Sequence, residues 1–233
     1  MIDSTPPSRR LRLVELALVL FVAFAPAFLQ SAYALAGRQL GYGSVSTSLL
    51  YLTGVISQVG ALAVLCYVLF RQGRSLQAIG FGFKWRDLPV SLGLFLAAVL
   101  FTWLWQWGSI AAFYAATRHA PNTQAHNVEF LRGGVNAASL IFVLLNPFFE
   151  ELIVRAYVIS EVTHLTGKVY LAVILSVLFQ ASYHLYQGTF LAWSYIPLFL
   201  IFSLYYAARR RITPVILAHL YFDLLALLAY PRG

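Results

Sequence analysis

Seven apolar runs, each near the length of a helix that crosses a bilayer, decide what this chain can fold into. They cover Leu13 to about Ala36, Ser48 to Phe70, Pro89 to about Ala116, Ala137 to about Val162, Val169 to about Tyr186, Phe190 to Ala208 and Ile212 to Tyr230. Inside hydrocarbon the backbone must satisfy its own polar groups, so such runs form helices. The expected fold is all-α, a polytopic transmembrane helix bundle of about seven spans. Composition agrees: 10% of the residues are charged and 61% hydrophobic, against roughly 25% charged in a soluble domain. Ala34-Leu35-Ala36 has the small-residue spacing of a signal-peptidase site, but the run before it is too long for a signal peptide.

The formal charge of +8 would invite nucleic acid in a soluble protein, but no soluble domain is present to bind it. The basic residues report topology instead. With the N-terminus inside, the inner segments hold Arg9, Arg10, Arg12, Arg71, Arg74, Lys84, Arg86, Lys168, Arg209, Arg210 and Arg211. The outer segments hold only Arg38, Arg118, Arg132 and Arg232, which fits the positive-inside rule. The expected division is a polar cytoplasmic N-terminus over 1–12, spans one to three with their loops over 13–136, and four further spans over 137–230. Arg71 to Asp87 mixes basic residues with Phe81, Phe83 and Trp85, as an interfacial segment does. Trp103, Trp105 and Trp107 fall where an aromatic belt would lie. The lone Cys66 excludes an intrachain disulfide.

Few ionisable groups lie at depth. They are Glu150, Glu151 and Arg155 on span four, His184 on span five, and His219 and Asp223 on span seven. Glu15 and Glu161 lie near span ends and are expected to reach the interface. His119, His126 and His164 are expected to be solvated in loops. A charge at mid-membrane costs about 2.5–3.5 kcal/mol on insertion scales. Glu151 and Arg155 are four apart and share a helix face, so they can pair. Glu150 points about 100° away and needs another partner. His219 and Asp223 also share a face. The expectation is a polar site between spans four, five and seven, with Glu150, His184 and His219 within water-mediated reach of one another. Asn146-Pro147 is expected to kink span four and free carbonyls to a wet cavity. The levels need reconciling: His184 lies ~24 Å along its helix from Lys168, His219 only ~12 Å from Arg211. A tilted or later-starting span five, or a deep cavity, would bridge them.

Such groups could be buried ion pairs that lock helices together. However, three carboxylates and two histidines outnumber what one arginine can satisfy. A desolvated glutamate can serve as general base towards water, a histidine opposite can share that water, and a second histidine beside a carboxyl can stabilise an oxyanion. The same side chains, Glu150, His184, His219 and Asp223, could equally hold a divalent metal such as zinc. Peptide hydrolysis fits both versions. The chain has no His-Glu-x-x-His, no Gly-x-Ser-Gly and no pair of transmembrane aspartates.

At these residues the sequence resembles the CPBP family (CAAX protease and bacteriocin-processing, Abi) of intramembrane endopeptidases. The family pattern Glu-Glu-x-x-x-Arg is met by Glu150, Glu151 and Arg155, and His-x-x-x-Asn/Asp by His219 and Asp223. The middle element, Phe-x-x-x-His, departs: Gln180 stands four residues before His184, with Phe179 one place earlier. The resemblance covers roughly 137–230 and implies a catalytic core there. It implies that Glu150 and His184 activate water and that His219 and Asp223 form the oxyanion site. Glu151, Arg155 and Gln180 become positioning residues. The implied activity is hydrolysis of a peptide bond in a membrane-associated substrate, with the lipid bilayer and a peptide as partners. Alternatives are a non-proteolytic bacteriocin-immunity or regulatory member, or an ion-coupled transporter, against which the lack of a visible repeat weighs. The His184-Leu-Tyr-Gln-Gly188 run and the absence of N-glycosylation triplets lean towards a bacterial inner membrane.

Overall fold

The apolar runs become helices whose ends are set by capping side chains and arginines. The computed structural model describes residues 8–38, 46–123 and 135–229. Ser8 caps α1 (Arg9–Leu35) by accepting from the Leu11 N–H at 3.3 Å, so the helix starts among the arginines ahead of Leu13. Ser46 caps α2 (Thr47–Arg71) in the same way. Helix α3 (Asp87–Thr117) carries an acid in its first turn, where the helix dipole favours it. An Asn136–Ser139 capping box opens α4 (Ala137–Glu150). This helix continues through a wide π-helical stretch, Glu151–Tyr157, into α5 (Val158–Thr166). Helix α6 (Val169–Tyr183) tightens into a 3-10 turn, His184–Gln187. The sixth apolar run divides at Tyr195 into α7 (Thr189–Ser194) and α8 (Ile196–Arg209), because Pro197 suits the start of a helix and not its interior. Helix α9 (Thr213–Ala229) is the last.

Among the described residues six helical stretches are long and apolar enough to cross a membrane, and α9 is a shorter seventh. The chain is an integral membrane protein with a polytopic helical fold. The expectations for residues 1–7, His126, Arg132, Tyr230 and Arg232 fall outside the described residues.

The segment after α2 does more than lie at the interface. Phe83 and Trp85 are exposed as an interfacial segment requires, but the 3-10 turn Leu76–Ile79 tucks inward and buries Ile79. The Tyr206 hydroxyl bonds the carbonyls of Ile79 and Ala156 at 3.1 and 3.0 Å, and the Ile212 N–H donates to Gly80 O at 3.1 Å. Gly80 has φ +88, and a Cβ there would strike the Arg210 carbonyl, so only glycine fits this approach. These bonds put Ile212 on the level of Ala156, ~15 Å along the helix from Thr166. Helix α9 therefore begins well inside the bundle, and His219 is not shallow. A deep start of the last helix reduces the mismatch in level with His184.

A second correction concerns Glu15 and Glu161. Both are buried, at 4% and 0% exposure, and neither reaches the interface. Arg71 and Gln72 from α2 and its C-cap come to Glu15. Arg12 from α1 and Arg74 come to Glu161. Asp87 is likewise buried and paired with Arg211 at 2.7 Å. Neighbouring arginines meet these carboxylates where they stand, which removes the reason to extend towards water. The pairs tie the ends of α1, α2, α3, α5 and α8 into one arginine-rich end of the bundle.

Candidate active site

Helix α4 and the stretch that follows it bring Asn146, Glu150 and Glu151 to the middle of the bundle. Gly54 of α2 makes room for this: a Cβ there would lie 2.7 Å from the Phe142 ring, so the two helices pack closely. One turn on, the Gln58 amide donates to Asn146 Oδ1 at 2.9 Å, and Asn146 Nδ2 donates to Asp223 Oδ2 at 3.0 Å. Pro147 follows but does not break the helix; the Glu151 N–H still bonds the Phe148 and Pro147 carbonyls. The departure from α geometry comes just after it, in the π-helical stretch from Glu151. Such wide turns shift the side chains beyond them around the axis and recur at functional sites.

Glu150, 7% exposed, accepts from Gln180 Nε2 at 2.9 Å through Oε2. The backbone carbonyl of the same Gln180 contacts His184 Nδ1 at 2.9 Å. A carbonyl oxygen can only accept, so Nδ1 carries the hydrogen and a neutral His184 presents the lone pair of Nε2. Glu150, His219 and Arg155 all lie within electrostatic reach of this ring. Rings of Tyr183 and Phe199 pack beside it, with centroids 4.6 and 5.2 Å away. From α1, Ser31 donates to the Tyr183 carbonyl at 2.9 Å and accepts from the Tyr186 N–H at 3.1 Å. That pair of bonds pins the turn on which His184 sits.

Glu151 faces the other way. Its Oε1 accepts from Arg155 Nη1 at 2.8 Å and from His219 Nδ1 at 2.7 Å. Both Glu151 and Arg155 are fully buried, and the guanidinium carbon lies 5.6 and 5.8 Å from the ring centroids of Phe199 and Phe202. The other nitrogen of His219, Nε2, is 3.4 Å from Asp223 Oδ1. The six ionisable groups expected at depth thus lie together, in two linked sets. One is Glu150–Gln180–His184; the other is Arg155–Glu151–His219–Asp223. Exposure rises from Glu151 at 0% through the His219 side chain at 12% to Asp223 at 22%, so the second set opens at its α9 end.

Residues 133–225 match the family described as Type II CAAX prenyl endopeptidase Rce1-like. The match supports membership of the CAAX protease (CPBP) family. No curated protein and no solved structure gives a match to the chain. All seven residues of the two sets fall within the matched region.

Sequence reasoning gave Asn146 no role beyond a kink and left Gln58 unremarked. Gln58 lies on α2, outside the CAAX protease match, yet it is buried and holds the Asn146 amide. A lone glutamine in an otherwise apolar span was the available signal. Several buried polar atoms around the site have no hydrogen-bond partner among the described residues: Glu151 Oε2, Arg155 Nε and Nη2, and Gln180 Oε1. Uncharged or charged, such groups are costly when left unpaired, and water is what satisfies them most readily. Among the described residues no three His, Cys, Asp or Glu side chains are arranged to hold a metal ion. His119 and His164 are exposed and take no part.

Proposed function

We propose that the chain is an intramembrane endopeptidase in which Glu150 is the general base, cleaving a peptide bond in a membrane-associated substrate. The observation that carries this reading is the double hold of Gln180. Its side chain orients Glu150 and its carbonyl sets the His184 tautomer, so a carboxylate and an imidazole lone pair are both prepared for one water. Glu150 takes a proton from that water as its oxygen attacks the carbonyl carbon. His184 Nε2 accepts the water's other hydrogen in a hydrogen bond and fixes its orientation. The tetrahedral oxyanion is met by the proton held between His219 Nε2 and Asp223 Oδ1, a 3.4 Å contact loose enough to yield to a better acceptor. Glu150 then returns its proton to the departing amine as the C–N bond breaks. Glu151 and Arg155 hold His219 from behind. The arginine-rich end faces the cytoplasm of a bacterial inner membrane in this reading.

The test is cleavage of a fluorogenic library of membrane-tethered peptides, including lipidated-cysteine sequences, by purified full-length protein. Glu150→Gln keeps the bond with Gln180 and removes the base. It is expected to lose about 10²–10⁴-fold in single-turnover rate with an unchanged melting temperature. His184→Ala is expected to fall in the same range. Cleavage by Glu150→Gln at the wild-type rate would overturn the mechanism.

A further inference from the structure

The arginine-rich end holds a second polar site that hydrolysis does not use. A cavity of about 410 Å³ opens among α1, α5, α8 and the 3-10 turn after α2, within the size range of small-ligand clefts. Arg12, Arg74 and Arg210 line it together with the hydroxyl-bearing Ser160, Thr163 and Tyr206. Arg12 and Arg74 share one fully buried carboxylate, Glu161. Arg210 meets no acid among the described residues: it reaches Ser160 Oγ at 3.5 Å and lies 5.8 Å from the Tyr206 ring centroid. Three guanidiniums against one carboxylate leave the cavity with surplus positive charge.

Donor capacity is also in surplus. A guanidinium has five N–H groups, and Arg12 and Arg74 reach Glu161 through Nη1 alone. The Thr163 hydroxyl is buried without a hydrogen-bond partner. Exposed His164 and Arg210 form the rim, so the cavity opens outward. On α1 the neighbours of Arg12, Leu11 and Leu13, are both exposed, one on either side of it, so apolar surface adjoins the cavity.

We propose that this cavity binds the phosphate group of an anionic phospholipid. Planar guanidiniums backed by hydroxyls match phosphate oxygens, and the exposed Leu11 and Leu13 flanking Arg12 offer the acyl chains apolar surface that free phosphate would not need. Basic pockets between transmembrane helices at the positive end of a bundle are where such headgroups are held. The floor is firm, because Tyr206 is fixed by the carbonyls of Ile79 and Ala156.

Native mass spectrometry of the full-length protein, titrated with phosphatidylglycerol, phosphatidylcholine or inorganic phosphate, tests this without any protease assay. One phosphatidylglycerol is expected to be retained about tenfold more tightly than phosphatidylcholine, the size of effect one charged hydrogen bond gives. Arg210→Gln is expected to abolish that preference while leaving the lipid-free melting temperature unchanged, since Arg210 pairs with no acid among the described residues. Equal retention of the two lipids, or an intact preference in Arg210→Gln, would overturn the proposal. Displacement of the lipid by millimolar inorganic phosphate would assign the cavity to free phosphate and overturn the lipid reading.

Discussion

The two polar regions of this protein treat buried charge in opposite ways. At the arginine-rich end every buried carboxylate has a matching cation: Glu15 with Arg71, Glu161 with Arg12 and Arg74, Asp87 with Arg211. In the middle of the bundle one arginine serves three carboxylates and two histidines, and it satisfies only Glu151. The ends behave as fasteners, with cations in surplus and partly hydrated. The middle has carboxylates in surplus, histidines between them, and buried polar atoms left over. A membrane protein under pressure only to fold would replace such a set with apolar side chains at little cost or a gain. The contrast is the physical reason to read the middle as the reacting site and the arginine-rich end as the part that fastens and anchors the bundle.

The strongest way to break this contrast is Glu151→Ala. Arg155 would be left fully buried with no carboxylate, and His219 would lose its anchor. Removing one partner of a buried pair costs about 3–5 kcal/mol. The expected outcome is a loss of that size in denaturant unfolding, together with loss of cleavage. A cost below about 1 kcal/mol would mean that water already solvates Arg155. The matching change at the other region is Glu161→Gln. It unpairs two arginines, but their side chains are 11% and 23% exposed and can rehydrate. A smaller loss of about 1–3 kcal/mol is expected, with the rate per folded molecule unchanged. A fall in rate at preserved folding would show that the fasteners also tune the site.

What the sequence revealed of this contrast was whatever lies within one helix. The spacing of Glu151 from Arg155, and of His219 from Asp223, was readable because four residues bring side chains to one face. The helices themselves were readable from their apolar length. Contacts between helices were not. Nothing in the spacing says that Gln180 holds Glu150 with its side chain and His184 with its carbonyl, or that His219 turns one nitrogen to Glu151 and the other to Asp223. Glu15 and Glu161 were misjudged for the same reason: their arginines come from other helices. The depth of α9 depended on Gly80, whose conformation lets an inward turn bond Ile212. A glycine beside a basic segment carries no such message until the fold is known.

The finest test concerns whether the first three spans are only scaffold. They hold none of the ionisable groups of the site, yet Gln58 of α2 fixes Asn146, which in turn fixes Asp223. Gln58→Leu removes a side chain whose Oε1 is itself buried without a partner, so the loss of one bond is partly offset and stability should change by less than about 1 kcal/mol. The Asn146 amide, no longer held, can rotate away from Asp223, and the proton between Asp223 and His219 loses its fixed position. If that proton meets the oxyanion, the effect falls on turnover and not on binding: kcat should drop about fivefold with KM unchanged, the equivalent of about 1 kcal/mol in the barrier. Gln58→Glu offers a control, since it keeps an oxygen but no donor for Asn146 and adds a charge; it should be slower still. An unchanged kcat in Gln58→Leu would confine the working site to the region matched by the CAAX protease family and return α2 to a purely structural role.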